Sequence, residues 1–530
     1  MHVVREAGVN DPIGPFGNPD GSRADLDEVI DEFVDFQGDH AYGALATRAS
    51  DAMVRVVVGK LGAGKTMYLR CLQDFQNRSQ SVYATPPQQS VPSTETVIRA
   101  CQMFKSEVLS ERWLQIWHTA ILRSLVTHFL TQPTLKEYLE PEQVEELNQG
   151  YVGLLDPSRR PRSVYSELVQ IVSQAHTKNQ LREFLIDPRW SDLEGLVAQI
   201  LPQCPPIFFY LDAVDEEFDH APMFWLQCHQ GLFHEVMRLL RDHVLGGRLH
   251  VVISIRDVVM SSILRSEHAP KFIDEPHIRI LAWDRRSLKY LLHEKLERLP
   301  PQFFMGDPDK DRSVSTWLGL ATIENEARGI VEPIEDYLLR HIRPIPRDLV
   351  SLGNSLCEEV LRQKSMHESS VPQADVRRAV SRAARRFGDS QLAQCANQVA
   401  SDNMPDDAGR MGYSEVYTGA DAYKDDYING VGRQIRELIR SIGVDRFDRS
   451  AMNSFEEMAD EEWRRSVHLP SVLWQNGLLG FVDRHGQTTF YSLGDVDNFR
   501  IPEAQEYVFH PCMIDSLGLA SVGKSPVRPF

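Results

Sequence analysis

The stretch Val54–Thr66, VRVVVGKLGAGKT, decides the fold class. Its first five residues are valines interrupted once by Arg55, the composition of a short strand buried on both faces. The next eight, Gly59 to Thr66, match G-x-x-x-x-G-K-[ST] at every fixed position. From Lys65 onward, KTMYLRCLQDF has the apolar spacing of a helix. A strand, a glycine-rich loop and a helix in that order place a helix N-terminus, with its converging N–H donors, at the loop. Gly59, Gly62 and Gly64 tolerate φ values that other residues avoid, so the loop, Ala63 included, can wrap an anion. Lys65 supplies a cation for the β- and γ-phosphates, and the Thr66 hydroxyl a ligand for Mg²⁺. The segment reads as a nucleotide cradle, with ATP and Mg²⁺ the expected ligands.

Three further runs read as buried strands: PPIFFYLD ending at Asp212, LHVVISIRD ending at Asp257, and HIRILAW ending at Trp283. Helical patterning fills the intervals, most clearly from Ser106 to Leu201 and from Ser287 to Phe387. Strands separated by helices imply the α/β class, a parallel sheet with crossover helices. The cradle also needs an acid at a strand end to hold Mg²⁺ through its water, and Asp212 is placed for it. Ala213 follows Asp212, so the acid that would orient an attacking water is expected at Asp215 or Glu216. Arg256, at the end of the next strand, can sense the γ-phosphate. Arg347 follows Pro346 at a helix start, where it can swing over the nucleotide from a lid, with Arg343 a second candidate. The tryptophans of the long helical block, Trp113 and Trp117, read as core.

Together GKLGAGKT, FFYLDAVDE, VVISIRD and a helical segment carrying PRD resemble the AAA+/STAND group of P-loop NTPases, over about residues 51–359. The resemblance implies a P-loop core, Mg²⁺ at Thr66 and Asp212, catalysis by Glu216 or Asp215, a sensor at Arg256 and, as an arginine finger, Arg265. Near the C-terminus, LPSVLWQNGLLGFVDRHGQTTFYSL reads as a helix and a hairpin, with EYVFHPCMID able to add a strand, and resembles a winged helix. The expected organisation is a lead-in with a helix over 1–50 and a P-loop core over 51–286 with a helical insertion at about 100–200. A helical lid over 287–397, a linker or mobile loop over 398–430 and a winged-helix-like α+β module over 431–530 follow.

Composition narrows the function. Lysine plus arginine number 57 and aspartate plus glutamate 75, a formal charge of −18 over 530 residues. That acidity disfavours nucleic acid as a general partner, although VRRAVSRAARRF (Val376–Phe387) is locally basic. Seven dispersed cysteines without a CxxC pair fit neither a disulfide framework nor a zinc ribbon, and suggest a reducing, cytoplasmic setting. No basic and apolar leader opens the sequence and no run approaches 18 apolar residues, so neither a signal peptide nor a membrane partner is expected. The family resemblance implies an ATPase switch in signalling or antiviral defence that forms a homo-oligomer and acts on a separate effector. A DNA-associated loader and a nucleotide-binding scaffold without turnover are the alternatives.

Overall fold

The valine run forms the central strand, β1 (Val56–Gly59), all four residues buried. The computed structural model describes residues 14–21, 24, 54–78, 82–85, 109–155, 162–212, 222–245, 247–264, 269–402, 420–463, 468–491, 500–523 and 525–529. The strands β2 (Tyr83–Ala84), β3 (Ile207–Leu211), β4 (Leu249–Arg256) and β5 (Ile278–Leu281) join β1 in one sheet, ordered β2-β3-β4-β1-β5. Every pairing is parallel. The protein is thus α/β with a five-stranded parallel sheet; β2 is an edge strand too short to show in the sequence pattern.

Because successive side chains point to opposite faces, each central strand feeds two cores. Val57, Phe208, Tyr210 and Val252 pack on one face with Tyr68, Leu69, Cys71 and Leu72 of helix α1 (Lys65–Arg78). Val56, Val58, Phe209, Val251 and Ile253 face the other way, into a larger core built by α2 (Leu109–Thr131) and α3 (Pro222–Arg241). Burial on both faces is why these strands read as predominantly apolar runs. Trp113 and Trp117 of α2 are fully buried, and Trp117 Nε1–H donates to the Cys228 carbonyl (2.9 Å). Gly231 of α3 lets the helices touch: a Cβ there would sit 2.4 Å from Trp113 Cβ. Helix α2 thus shares one core with α3 and the sheet.

Beyond β5 the chain is mainly helical: α4 (Asp257–Leu264) precedes that strand, and α5 (Arg285–Arg298), α6 (Pro346–Ser365) and α7 (Gln373–Asp402) follow it. A two-stranded hairpin, β6 (Thr322–Asn325) with β7 (Ile330–Pro333), interrupts them. Its alternating exposure and the left-handed Gly329 (φ 62°) at the turn explain a hairpin where helix was expected. Within the expected linker of 398–430, α7 runs to Asp402 and α8 (Ala420–Ile442) begins at Ala420, while residues 403–419 lie outside the described residues. Past α8, β8 (Arg446–Asp448), β9 (Leu479–Val482), β10 (Thr488–Phe490) and β11 (Glu506–Phe509) form an antiparallel sheet ordered β10-β9-β11-β8. Helices α9 (Leu469–Gln475) and α10 (Pro511–Leu517) flank it. One apolar core unites this module with α5, α6 and α7. Gly388 of α7 shows how close they come, since a Cβ there would lie 2.8 Å from the Cys512 carbonyl oxygen.

The arginines of the basic helix face have partners, although Arg378, Arg382, Arg385 and Arg386 stay exposed. Arg377 pairs with Glu326 (2.6 Å), Arg378 with Asp375 (3.0 Å) and Arg382 with Glu359 (3.0 Å). Arg385 donates to the Asp515 carbonyl (3.3 Å) and Arg386 to Ser355 (3.5 Å). Six cysteines lie among the described residues, all buried. Among the described residues no helix is long and apolar enough to cross a membrane.

The expected N-terminal helix, from Asp25 to Phe36, lies outside the described residues, but Gly14–Gly21 are ordered by packing. Phe16 is buried and stacks on Trp317, ring centroids 5.0 Å apart, while its N–H donates to Asn354 Oδ1 (2.8 Å). Arg70 of α1 donates to the Gly21 and Ala24 carbonyls (2.7 and 2.8 Å), so this strap ties α6 to α1. Phe16→Ala empties a filled site, and urea denaturation should show a loss of about 3 kcal/mol; an unchanged midpoint would mean the strap adds nothing to the folded state.

Candidate functional site

The five-stranded sheet delivers its loops to one edge. In the parallel register Gly59 stands beside Arg256 of β4 and Leu281 of β5, so the end of β1 and both neighbours terminate together. From Gly59 the chain turns through Gly62 (φ 85°) and Gly64 (φ 95°), both in the left-handed region, and α1 begins at Lys65. The local bond from Ala63 N–H to the Lys60 carbonyl (3.1 Å) closes the turn.

Lys65 is buried, and its Nζ folds back to donate to the Gly59 and Lys60 carbonyls (3.1 and 3.3 Å). Two more carbonyls are engaged from outside the loop. Arg347 N–H donates to Gly62 O (3.3 Å) and Trp283 Nε1–H to Ala63 O (2.8 Å). The Gly59, Lys60, Gly62 and Ala63 carbonyls are thus all engaged as acceptors, and a loop whose carbonyls are engaged, beside a helix N-terminus, is of the kind that suits an anion.

Asp212 follows β3 and is buried. One carboxylate oxygen accepts from Ser254 Oγ (2.5 Å), and the other, Oδ2, has no hydrogen-bond partner among the described residues. Ser254 is aligned with Val57 of β1, so β4 sets the acid one strand away from the glycine-rich loop. A buried carboxylate oxygen without a donor is costly unless a cation or water meets it. Thr66 stands half-buried in the first turn of α1, and with Asp212 supplies the hard oxygen donors that Mg²⁺ prefers. Among the described residues no group of three or more His, Cys, Asp or Glu side chains could hold a metal by itself. A Mg²⁺ here would depend on ligand oxygens and water, which is how that ion is usually bound.

Arg256 sits beside Gly59 and lines a cleft. The same cleft is lined by Lys60, Ser261, Arg343, Asn476 and Tyr491. Lys60 lies over the Tyr491 ring (5.8 Å to the centroid), and Ser261 Oγ meets Tyr491 Oη at 3.4 Å. Burial lowers the Lys60 pKa, with Asp257 opposing and Arg343 adding to the shift. Asn476 bridges two glutamines of α7, accepting from Gln391 (2.8 Å) and donating to Gln398 (3.1 Å). The C-terminal module therefore forms one wall of the cleft beside the glycine-rich loop.

Arg347 does stand at the loop, but through its backbone: its Nε donates to the Pro19 carbonyl (3.2 Å) of the N-terminal strap. Arg343 is held by Asp348, with Nε to Oδ2 at 2.7 Å and Nη2 to Oδ1 at 2.8 Å. Asp215, Glu216 and Arg265 lie outside the described residues. Sequence reasoning misses Trp283, Lys60, Tyr491 and Asn476. Trp283 is visible only as the last residue of an apolar run, and the other three carry no motif signal for the cleft. What selects them is proximity across distant parts of the chain.

Gly62 and Gly64 separate two effects that a single glycine confounds. A Cβ at Gly62 would come within 2.9 Å of Arg347 Cβ, whereas at Gly64 nothing lies within 4 Å. Both alanine variants should carry a backbone strain of about 1–2 kcal/mol, and Gly62→Ala an additional clash with α6. Thermal denaturation should rank Gly62→Ala below Gly64→Ala, and the reverse order would mean that α6 does not rest on the loop. No protein-family model matches the chain, and a search of curated proteins finds no match.

Proposed function

We propose that the protein binds ATP with Mg²⁺ at Gly59–Thr66 and works as a nucleotide-controlled switch with a P-loop NTPase core. The observation that carries this reading is the convergence on one sheet edge of a positive-φ glycine loop, a buried Lys65 and a buried Asp212 with an unpartnered oxygen. In this reading the loop N–H groups and Lys65 bind the phosphates and orient them. Thr66 and, through water, Asp212 hold Mg²⁺, which when bound supplies charge neutralisation at the phosphates. Arg256 is the cation beside the terminal phosphate, and Glu216 or Asp215 takes the proton of the attacking water.

The switch element of the proposal rests on the cleft. Strap, lid and C-terminal module all touch the loop or its border, so occupancy of the cradle acts on contacts made by each of them. A ligand shifts such an arrangement only by its difference in affinity for the two states. Assembly into a homo-oligomer and action on a separate effector in signalling or defence belong to this proposal through the family resemblance. The C-terminal module, in the same reading, is a winged-helix-like contact surface for protein.

Lys65→Ala removes the phosphate cation, and calorimetry with a non-hydrolysable ATP analogue should show affinity falling at least tenfold, about 1.4 kcal/mol. Full affinity in a folded variant sinks the assignment. Glu216→Gln should keep binding and lose most phosphate release, because only water activation is touched. If turnover persists there and collapses in Asp215→Asn, the two acids exchange roles; normal turnover in both places the catalytic acid elsewhere.

A further inference from the structure

We propose that Trp283 is a positioning residue that sets the orientation of the Ala63–Gly64 peptide and ties it to the lid; the inference rests on the nucleotide reading of the loop. Trp283 lies in the short joint between β5, which ends at Leu281, and α5, which begins at Arg285. The helix start is pinned next to it by Asp284, whose carboxylate accepts from Ser287 N–H (2.8 Å) while its own N–H donates to Ser287 Oγ (3.0 Å). The half-buried Trp283 ring packs against both the apolar core around α1 and the core of the lid. Its indole N–H crosses to Ala63 O at 2.8 Å.

The consequence follows from peptide planarity. The Ala63 carbonyl and the Gly64 N–H belong to one trans peptide and point in opposite directions. Holding Ala63 O toward Trp283 therefore aims the Gly64 N–H to the opposite side of the loop. Left alone, this peptide would turn easily, because Gly64 has no Cβ and tolerates φ of either sign. The preceding carbonyl, Gly62 O, is held in the same manner by Arg347 N–H at the start of α6. Two consecutive loop carbonyls are thus gripped by the first turn of α6 and by the joint that carries α5. Rotation of the lid about residues 282–284 would carry the indole with it and release the peptide. Trp283 touches no phosphate in this scheme; it acts by fixing which way a donor points.

Trp283→Phe keeps an aromatic ring but removes the donor together with part of the packing on the two cores. Calorimetry on the folded variant should show affinity for ADP falling about five-fold, the loss of one hydrogen bond's worth of preorganisation. The wild-type protein labelled with 5-fluorotryptophan provides the second measurement. The ¹⁹F resonance absent from Trp283→Phe identifies Trp283, and adding ADP to the wild type should move it. Support requires both results. Wild-type affinity in Trp283→Phe, or a stationary Trp283 resonance while the protein binds ADP, overturns the inference and leaves the binding site standing. Absence of binding in the wild type itself removes the nucleotide reading, and this inference with it.

Discussion

The structure depends on β1 being central. A strand with parallel neighbours on both edges and side chains packed on both faces has its backbone groups committed to the ladder, so the chain can escape only at its ends. At Gly59 it must leave the sheet and enter α1 within a few residues. That reversal requires the left-handed φ of Gly62 and Gly64. The same geometry that closes the sheet edge therefore produces the cradle, and its rigidity comes from Val56, Val57 and Val58, which are fully buried.

Around this edge the later parts of the chain are arranged by complementary packing. The strap brings Phe16 into the lid core and Pro19 to Arg347, while Trp283 and Ile345 close on the loop from the lid side. Helix α7 joins lid and C-terminal module in one apolar core, so these two cannot move independently without exposing it.

Buried charge reinforces the assembly. Arg328 and Asp445 form an ion pair with both side chains essentially inaccessible, and Arg328 also donates to the carbonyls of Val522, Gly523 and Ser525. Arg340 binds Glu332 (2.9 Å), and Arg343 binds Asp348. Each pair replaces solvation with a specific partner, so it fixes geometry more than it adds stability. The contrast with Asp212 is informative: these carboxylates are satisfied by arginine, whereas Asp212 Oδ2 has no hydrogen-bond partner among the described residues.

Local chemistry is legible in the amino-acid sequence. The doubly buried strands β1, β3 and β4 announce themselves as predominantly apolar runs because both faces are covered. The loop announces itself because its glycines, lysine and threonine have fixed spacing along one short segment. Asp212 and Arg256 are recognisable because each ends such a strand. The strand order, the edge strand β2, the hairpin β6–β7 and the merging of lid and module into one core carry weak local signals, since short or half-exposed strands resemble their surroundings. The roles of Trp283, Tyr491 and Asn476 are decided only by tertiary structure. A hydrogen bond such as Trp283 to Ala63 joins residues far apart in sequence, and nothing in either local segment specifies the other until the sheet register brings their ends together.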